Sequence, residues 1–252
     1  MRLTTTAGRS LEVVQAEVGS FSIWVRQAPK ERHWDIDVTR PILDGDEYEL
    51  APLAAEGHQP LWIVDIGAHI GSFTLKAKSH WPNARVIAAE PDPDSAALFR
   101  RNTDGLQGVF LHETAVLGTE SSPEAHLRQA GRANEDRNAA ASWVAEAVQD
   151  IRSERRAPTL TVPCISVLEL LRAHGNPTID LLKLDCEAAE GEILSALGTS
   201  GYLRRVGWIR GEWHHSPNVA RIESALERTH TFHLDKRNPV RGAFIAHRNR
   251  GA

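Results

Sequence analysis

The chain has 252 residues, of which 41% are hydrophobic and 25% charged, and its formal net charge at pH 7 is -4. This composition is typical of a globular protein. It gives no reason to expect nucleic acid or an anionic membrane surface as a partner, because both require clustered positive charge. The two cysteines are too few for a disulfide framework and do not form a paired-cysteine zinc motif, which indicates a reducing, cytoplasmic environment. The N-terminus lacks a signal-peptide pattern, and no run of about 18 apolar residues could span a bilayer.

The predicted elements begin with an N-terminal cap over residues 1–55. EVGSFSIWVRQAP, at 17–29, predicts a small strand pair, and DIDVTRPILDGDEYELAPL, at 35–53, predicts a connector with a short helix. We expect this cap to lie over the sheet edge of the main domain, residues 56–252.

From Leu61 onward, short apolar runs alternate with segments of helical spacing. Strands are predicted at LWIVDIG, ARVIAAEPD, VFLHETAV (109–116), IDLLKLDCE (179–187) and VGWIRGEWH (206–214), with a strand end at VPCIS and a closing strand pair in FHLDKRNPVRGAFIAHR. Such alternation is typical of a parallel sheet covered on both faces, so the predicted fold class is α/β, doubly wound. Within 118–158, SWVAEAVQDIRSER predicts an amphipathic helix, and we interpret this segment as a lid or insertion.

The turn VDIGAHIG, residues 64–71, joins the first strand of this domain to its first helix. In doubly wound sheets, ligands bind beyond the carboxyl ends of the strands, so the turn is a candidate cofactor site. A dinucleotide fingerprint, G-x-G-x-x-G, would have glycine where His69 stands, and a pyrophosphate would be crowded there. S-adenosylmethionine (SAM), which has no phosphate, needs less clearance.

Glu90 strengthens the interpretation of a nucleoside site. It ends the second strand, 25 positions after Asp65, and its two carboxylate oxygens suit a ribose cis-diol. The alternative is that the glycines only permit tight packing of strand against helix and that Glu90 caps the following helix, for which Asp92 and Asp94 are also candidate caps.

Acidic residues also mark the ends of two later strands. Lys183, Asp185 and Glu187 alternate and should project to one face, and Glu212 and His214 share a face in the same way. His214, with an ordinary imidazole pKa near ~6.5, is the leading candidate for a general base. One alternative is a structural ion pair between Lys183 and one of the acids. A divalent metal bound by these residues is another alternative, but it is not favoured, and no metal site is predicted.

Four segments together resemble the FkbM family of SAM-dependent methyltransferases. They are VDIGAHIGSFTL (64–75), IAAEPDPDSAALFRRN (87–102), IDLLKLDCEAAEGEIL (179–194) and IRGEWHH (209–215). The resemblance implies a Rossmann-like class I methyltransferase fold with a mostly parallel seven-stranded sheet, and most often O-methylation of a hydroxyl on a natural product or sugar. It also implies that Tyr48, in the segment Asp46–Tyr48, lies over the cofactor. Family members usually have glycine after the glutamate of the third segment, where this chain has Ala188, and an aspartate pair where it has Ile165 and Ser166.

These observations predict two sets of site residues. The cofactor-binding set comprises Tyr48, Asp65, Gly67, Ala68, His69, Gly71, Glu90, Pro91, Asp92, Asn102, Ala115 and Asp185. The catalytic set comprises His214, Asp185, Glu187 and Glu212.

The predicted function is SAM-dependent O-methylation of a small hydroxylated acceptor, with S-adenosylhomocysteine as product and general-base assistance in an in-line transfer. N-methylation of an amine or carbamoyl group needs almost the same site and stays an alternative. An NAD-linked oxidoreductase is disfavoured by His69 and by the lack of a recognisable catalytic Tyr/Lys pair. A non-catalytic SAM-binding protein is disfavoured by the acidic residues at the ends of two strands. The expected partner is the small-molecule acceptor, and a homodimer is compatible with the sequence.

Overall fold

The computed structural model describes residues 1–27, 34–118, 124–128 and 159–251. The chain divides into two compact units, 1–113 and 114–252. This division does not coincide with the boundary near residue 55, which stays a prediction about chain organisation.

The first unit contains an antiparallel three-stranded sheet and three parallel strands with their helices. Its elements in chain order are β1 (Arg2–Thr4), β2 (Ser10–Val18), β3 (Phe21–Arg26), α1 (Trp34–Leu43), α2 (Leu50–Ala55), β4 (Trp62–Ile66), α3 (Ser72–His80), β5 (Arg85–Ala89), α4 (Pro93–Asn102) and β6 (Val109–His112). The predicted strand pair is wrong in extent, because only β3 lies wholly within 17–29, and its partner β2 lies mostly in the residues before it. The predicted short helix is present as α1, with α2 as a second short helix.

The N-terminal sheet packs through one apolar face onto other elements of its unit. Val13, Val25 and Leu43 belong to a buried cluster that also contains Ile70, from the turn after β4, and Leu98 of α4. Removal of these side chains from water stabilises the packing by roughly 1.5–3 kcal/mol for each fully buried aliphatic residue. The N-terminal strands are therefore attached to the segment in which the sequence predicts cofactor binding.

Strands β4, β5 and β6 are parallel and in that order. Helix α3 connects β4 to β5, and α4 connects β5 to β6. Parallel neighbouring strands need such helical connections, because the chain must return to the same end of the sheet before the next strand begins. Helix α4 begins where Asp92, as its N-cap, accepts hydrogen bonds from the backbone N–H groups of Asp94 and Ser95. The capping role predicted for Asp92 is confirmed, and Glu90 is not the cap.

The second unit contains four strands that pair with one another and a separate small sheet. Its elements are β7 (Ala115–Leu117), β8 (Glu124–Arg128), β9 (Thr159–Ser166), α5 (Val167–Ala173), β10 (Ile179–Leu184), α6 (Glu190–Thr199), a 3-10 turn (Tyr202–Arg205), β11 (Val206–His214), α7 (Ser216–Leu226), β12 (His230–Leu234) and β13 (Arg241–Arg248). Within this unit the order is β12-β13-β11-β10, with β10 and β11 parallel and the closing pair antiparallel. In the described residues, β4, β5 and β6 are parallel in the first unit and β10 and β11 are parallel in the second, so the mostly parallel arrangement that the sequence predicts is confirmed.

Two predicted strands are wrong in extent. The run 109–116 is not one strand, because β6 ends at His112 and β7 belongs to the small sheet β7-β9-β8, where Ala115 is opposite Cys164. The run 179–187 ends as a strand at Leu184. The reason lies in the backbone, since Glu187 and Ala188 have φ values of 55° and 92°, which no β-strand accommodates.

The amphipathic helix predicted within 118–158 lies outside the described residues. Within the described parts of the chain, every helix is too short or too polar to cross a bilayer.

Ala188 carries a backbone conformation that favours glycine, and its backbone groups make the contacts at this position: its N–H donates to Glu190 and its carbonyl accepts from Asn218. A left-handed alanine costs about 1–2 kcal/mol, and glycine removes this cost. Glycine also raises the conformational entropy of the unfolded chain, which reduces the gain in stability by about 0.4–1 kcal/mol. We expect Ala188→Gly to raise the free energy of unfolding by about 1 kcal/mol, measured by urea denaturation.

Ala189→Gly is the matched control, because Ala189 has φ -88° and gains nothing from glycine. It should lower the stability. Equal destabilisation by both variants would contradict the strain at Ala188.

Candidate functional site

The turn after β4, residues 65–71 (the glycine turn), is built from residues in the left-handed region. Gly67, His69 and Gly71 have φ values of 81°, 49° and 94°. The backbone N–H groups of Gly67 and Ala68 both donate to the carbonyl of Ala89, each at 3.0 Å, which ties the turn to the end of β5. A side chain at Gly71 would lie 3.1 Å from the ring of Phe99, so space as well as φ requires glycine there.

Asp65 lies beneath this turn and is completely buried. Its Oδ2 accepts a hydrogen bond of 2.7 Å from the Thr74 hydroxyl in α3. The carboxylate therefore joins the end of β4 to the helix that follows the turn. A role of Asp65 in cofactor binding stays a prediction.

Glu90 follows β5 directly, and its carboxylate is fixed by two backbone groups. Oε2 accepts from the N–H of His69 at 2.8 Å, and Oε1 accepts from the N–H of Asp92 at 2.8 Å. The residue is only 5% exposed. The arrangement places two acceptor oxygens in a fixed orientation beside the turn.

A charged network that the sequence did not reveal surrounds these residues. Arg26, at the end of β3, lies 2.6 Å from Asp35 Oδ1 and 3.2 Å from Asp92 Oδ2. The ring of His69 packs edge-on against Trp34 at 5.3 Å, and its Nε2 lies 3.5 Å from the Arg26 guanidinium. His69 thus packs against Trp34, and its role in cofactor binding stays a prediction. No motif marks Arg26, because its partners are distant in the sequence.

The remaining predicted cofactor residues have different surroundings. Tyr48 is buried and packs edge-on against Phe73 at 5.3 Å. Asn102 bonds through its amide to the backbone of Trp24 and Ile70, so its contacts connect the N-terminal strands to the glycine turn. Pro91, between Glu90 and Asp92, is half-buried.

Ala115 is buried at the start of β7 in the second unit, rather than at the end of the strand predicted at 109–116. The reasoning that placed it at a strand end beside the ligand is therefore wrong.

In the second unit, the side chains after β10 and at the end of β11 converge on His214. Its Nε2 lies 3.9 Å from Asp185 Oδ1, 3.8 Å from Glu187 Oε2 and 3.8 Å from Glu212 Oε2. The structure thus brings together all four residues of the predicted catalytic set. Lys183 Nζ is buried 3.9 Å from Asp185 Oδ2, the contact that the ion-pair alternative requires.

Glu190, at the start of α6, completes this group and was missed from the sequence. It is completely buried. Its Oε1 accepts from the N–H groups of Cys186 and Ala188 and lies 3.1 Å from His214 Nδ1, while Oε2 accepts from the Asn218 amide at 3.2 Å. The sequence shows only an acidic residue in the first turn of a helix, which is common. We call Asp185, Glu187, Glu190, Glu212 and His214 the histidine cluster.

Proximity of these groups changes their acidities. Burial opposes protonation of His214, but the hydrogen bond to Glu190 and the charges of Glu187, Glu190 and Asp185 outweigh it and raise its pKa to about 9. Burial raises the pKa of Glu187 to about 7, with the neighbouring carboxylates acting in the same direction. Burial and the charge of Asp185 also raise the pKa of Glu212.

The prediction of His214 as a base rested on an ordinary imidazole pKa, and that premise is wrong. With a pKa of about 9, the imidazole is a cation at neutral pH. Cys186 is a thiol rather than a thiolate, since burial and the nearby acids raise its pKa well above the usual value.

Among the described residues, Asp185, Glu212 and His214 can each direct one potential metal-ligating atom toward the others, with all three atoms within 4.8 Å of one another. Carboxylate and imidazole groups are both common ligands of divalent cations. The convergence that spacing alone could not establish is therefore present.

Comparison with known proteins gives relatives that are similar to part of this chain. "Methyltransferase 1" of Beauveria bassiana (strain ARSEF 2860) is 28% identical over 159 residues, which span 60% of this chain and 62% of that protein. "Methyltransferase sdnD" of Sordaria araneosa is 27% identical over 185 residues, 66% of this chain and 71% of that protein.

Solved structures also match. Precorrin-6y C5,15-methyltransferase from Geobacter metallireducens has a TM-score of 0.44 at 14% identity, with 90% of this chain and 95% of that chain covered. A methyltransferase from Geobacter sulfurreducens has a TM-score of 0.44 at 16% identity, with 87% and 91% covered.

The family described as the methyltransferase FkbM domain matches residues 65–234, which include the glycine turn, Glu90 and the histidine cluster. The predicted family and the Rossmann-like class I methyltransferase fold are confirmed. The chain belongs to the FkbM methyltransferase domain family.

Proposed function

We propose that the protein transfers a methyl group from SAM to a hydroxyl of a small natural-product or sugar-like acceptor. The observation that carries the proposal is the fixed carboxylate of Glu90 beside the glycine turn, because two carboxylate oxygens held in one orientation suit the two hydroxyls of a ribose. Membership of the FkbM family supports methyl transfer as the reaction class.

The glycine turn supports SAM over a dinucleotide. His69 occupies the position at which a dinucleotide site has its middle glycine, and its ring is packed against Trp34 and beside Arg26. Moving this ring aside for a pyrophosphate would break those contacts. A nucleoside whose ribose bonds to Glu90 requires no such movement.

The histidine cluster supports an acceptor that loses a proton during transfer. In the proposed step the acceptor oxygen forms a bond to the methyl carbon as the sulfur–carbon bond breaks, S-adenosylhomocysteine leaves, and the hydroxyl proton passes to a carboxylate. Glu187 and Asp185 are the most accessible acids of the cluster, with side chains 29% and 28% exposed. We assign proton acceptance to Glu187, and to His214 the role of orienting the acids around it.

The charge of the cluster bears on the acceptor. Its four carboxylates would repel an anionic compound, so we propose a neutral hydroxylated acceptor. Both cysteines are free thiols, which supports the cytoplasm as the place of the reaction.

Glu90→Ala and Asp65→Ala should weaken SAM binding about 5- to 150-fold, because each removes a polar anchor worth about 1–3 kcal/mol. Isothermal calorimetry with SAM measures this. Asp104→Ala, an exposed acid paired with Arg101, is the matched control and should bind SAM like the wild type. Binding of NAD instead of SAM, or unchanged SAM affinity in both variants, contradicts the proposed cofactor site.

Glu187→Gln should lower kcat by about 100-fold while SAM affinity stays within about twofold, since loss of a general base typically costs this much in rate. The assay follows labelled methyl transfer from SAM to matched panels of hydroxylated and amine acceptors. His214→Ala should also lower turnover. The control Glu223→Gln removes the same charge at an exposed pair with Lys236. Full turnover by Glu187→Gln, or methylation of amines only, would overturn this assignment.

Glu190→Gln should lower the pKa of His214 from about 9 by about one pH unit or more, because it removes a charged hydrogen-bond partner. NMR titration of the imidazole carbons in protein kept in EDTA measures the value. A pKa that stays near 9 in this variant would mean that Glu190 does not control the charge of His214.

A further inference from the structure

Three potential ligand atoms from two separate chain segments meet in the histidine cluster. Asp185 follows β10, whereas Glu212 and His214 come from the end of β11, and the imidazole Nε2 lies 3.9 Å and 3.8 Å from the two carboxylate oxygens. Ligand atoms placed about 2.1–2.4 Å from one hexacoordinate cation lie about 3–4.8 Å apart. The separations in the cluster, all within 4.8 Å, fall in that range.

His214 is directed into this group by Glu190. The side chain of His214 is 11% exposed, and its Nδ1 bonds to a carboxylate that is itself held by the backbone of Cys186 and Ala188. Among the described residues, no group lies within hydrogen-bond distance of His214 Nε2, whose neighbours are carboxylate oxygens at 3.8–3.9 Å. A carboxylate that orients a histidine through its second nitrogen is the usual support of a metal ligand.

The surroundings of these atoms also favour a cation. Glu187 and Glu190 place two further carboxylates 3.8 Å and 3.1 Å from the His214 imidazole, and the negative potential of the cluster attracts a divalent ion.

We infer that Asp185, Glu212 and His214 bind one divalent cation of the Mg²⁺ or Mn²⁺ type. Two carboxylates with one imidazole suit these hard cations, and the nearby Cys186 is not required as a ligand. Three protein ligands leave other coordination positions open. One of these would take the acceptor hydroxyl, a role that rests on the proposed function, whereas binding of the cation itself does not.

The test titrates Mn²⁺ into metal-free protein and follows the loss of the free Mn²⁺ signal by electron paramagnetic resonance. The wild type should bind one equivalent, and Asp185→Asn and Glu212→Gln should each weaken binding by about tenfold or more. Glu223→Gln, the surface control, should bind like the wild type. The site is overturned if the wild type does not bind one equivalent of Mn²⁺, or if both cluster variants bind Mn²⁺ with the affinity of the wild type.

A second measurement needs only the wild type. Electron spin echo modulation of bound Mn²⁺ should show a nitrogen coupling from the His214 imidazole, and a spectrum without nitrogen would overturn the assignment of the ligands.

SAM calorimetry on the wild type in EDTA separates this inference from the proposed function. If the protein binds Mn²⁺ but not SAM, only the proposed function is wrong. If it binds SAM but not Mn²⁺, only the inferred metal site is wrong.

Discussion

One interaction occurs in both units and positions the groups on which the proposed chemistry depends: a buried glutamate accepts backbone N–H groups from the loop that follows a parallel strand. Glu90 does so for His69 in the loop after β4, and Glu190 for Cys186 and Ala188 in the loop after β10. A buried carboxylate is tolerated only with such donors, and the same bonds fix the loop. In the first unit the result is a rigid pair of acceptor oxygens, and in the second an oriented imidazole.

These loops also share a conformational cost. His69, Glu187 and Ala188 all have positive φ, and none of them is glycine. Residues in this region are retained where surrounding bonds determine them, and such positions concentrate at functional sites. In this chain the determining bonds are the ones that the two buried glutamates accept, so the loop geometry and the position of the functional side chains have a common cause.

Periodicity was sufficient to predict the α/β class and most strands and helices, and it placed Asp185, Glu187, Glu212 and His214 near the ends of two strands. Its errors come where the backbone departs from a regular element. The end of β10 at Leu184 and the separation of β6 from β7 depend on local φ values and pairing partners, which alternation of side chains does not encode.

The missed residues have a different explanation. Glu190 and Arg26 each belong to a contact between segments distant in the sequence, so neither carries a local motif. The pKa of His214 could not be foreseen for the same reason, since it is raised by Asp185, Glu187 and Glu190, which all lie more than 20 positions away along the chain. Residue type and position at a strand end were enough to predict which residues belong to the catalytic set. The protonation state of His214 depends on distances that only the folded structure gives.

The contacts of Arg26 and Asn102 have a consequence for modular engineering. Arg26 bonds to the cap of α4, and Asn102 of that helix bonds to β3, so the leading strands and the helix form one interlocked piece. Exchange of the leading strands with those of a relative that lacks an arginine at this position would leave Asp92 without its guanidinium partner Arg26. A recombination breakpoint within this family is therefore better tolerated after α4 than before β4.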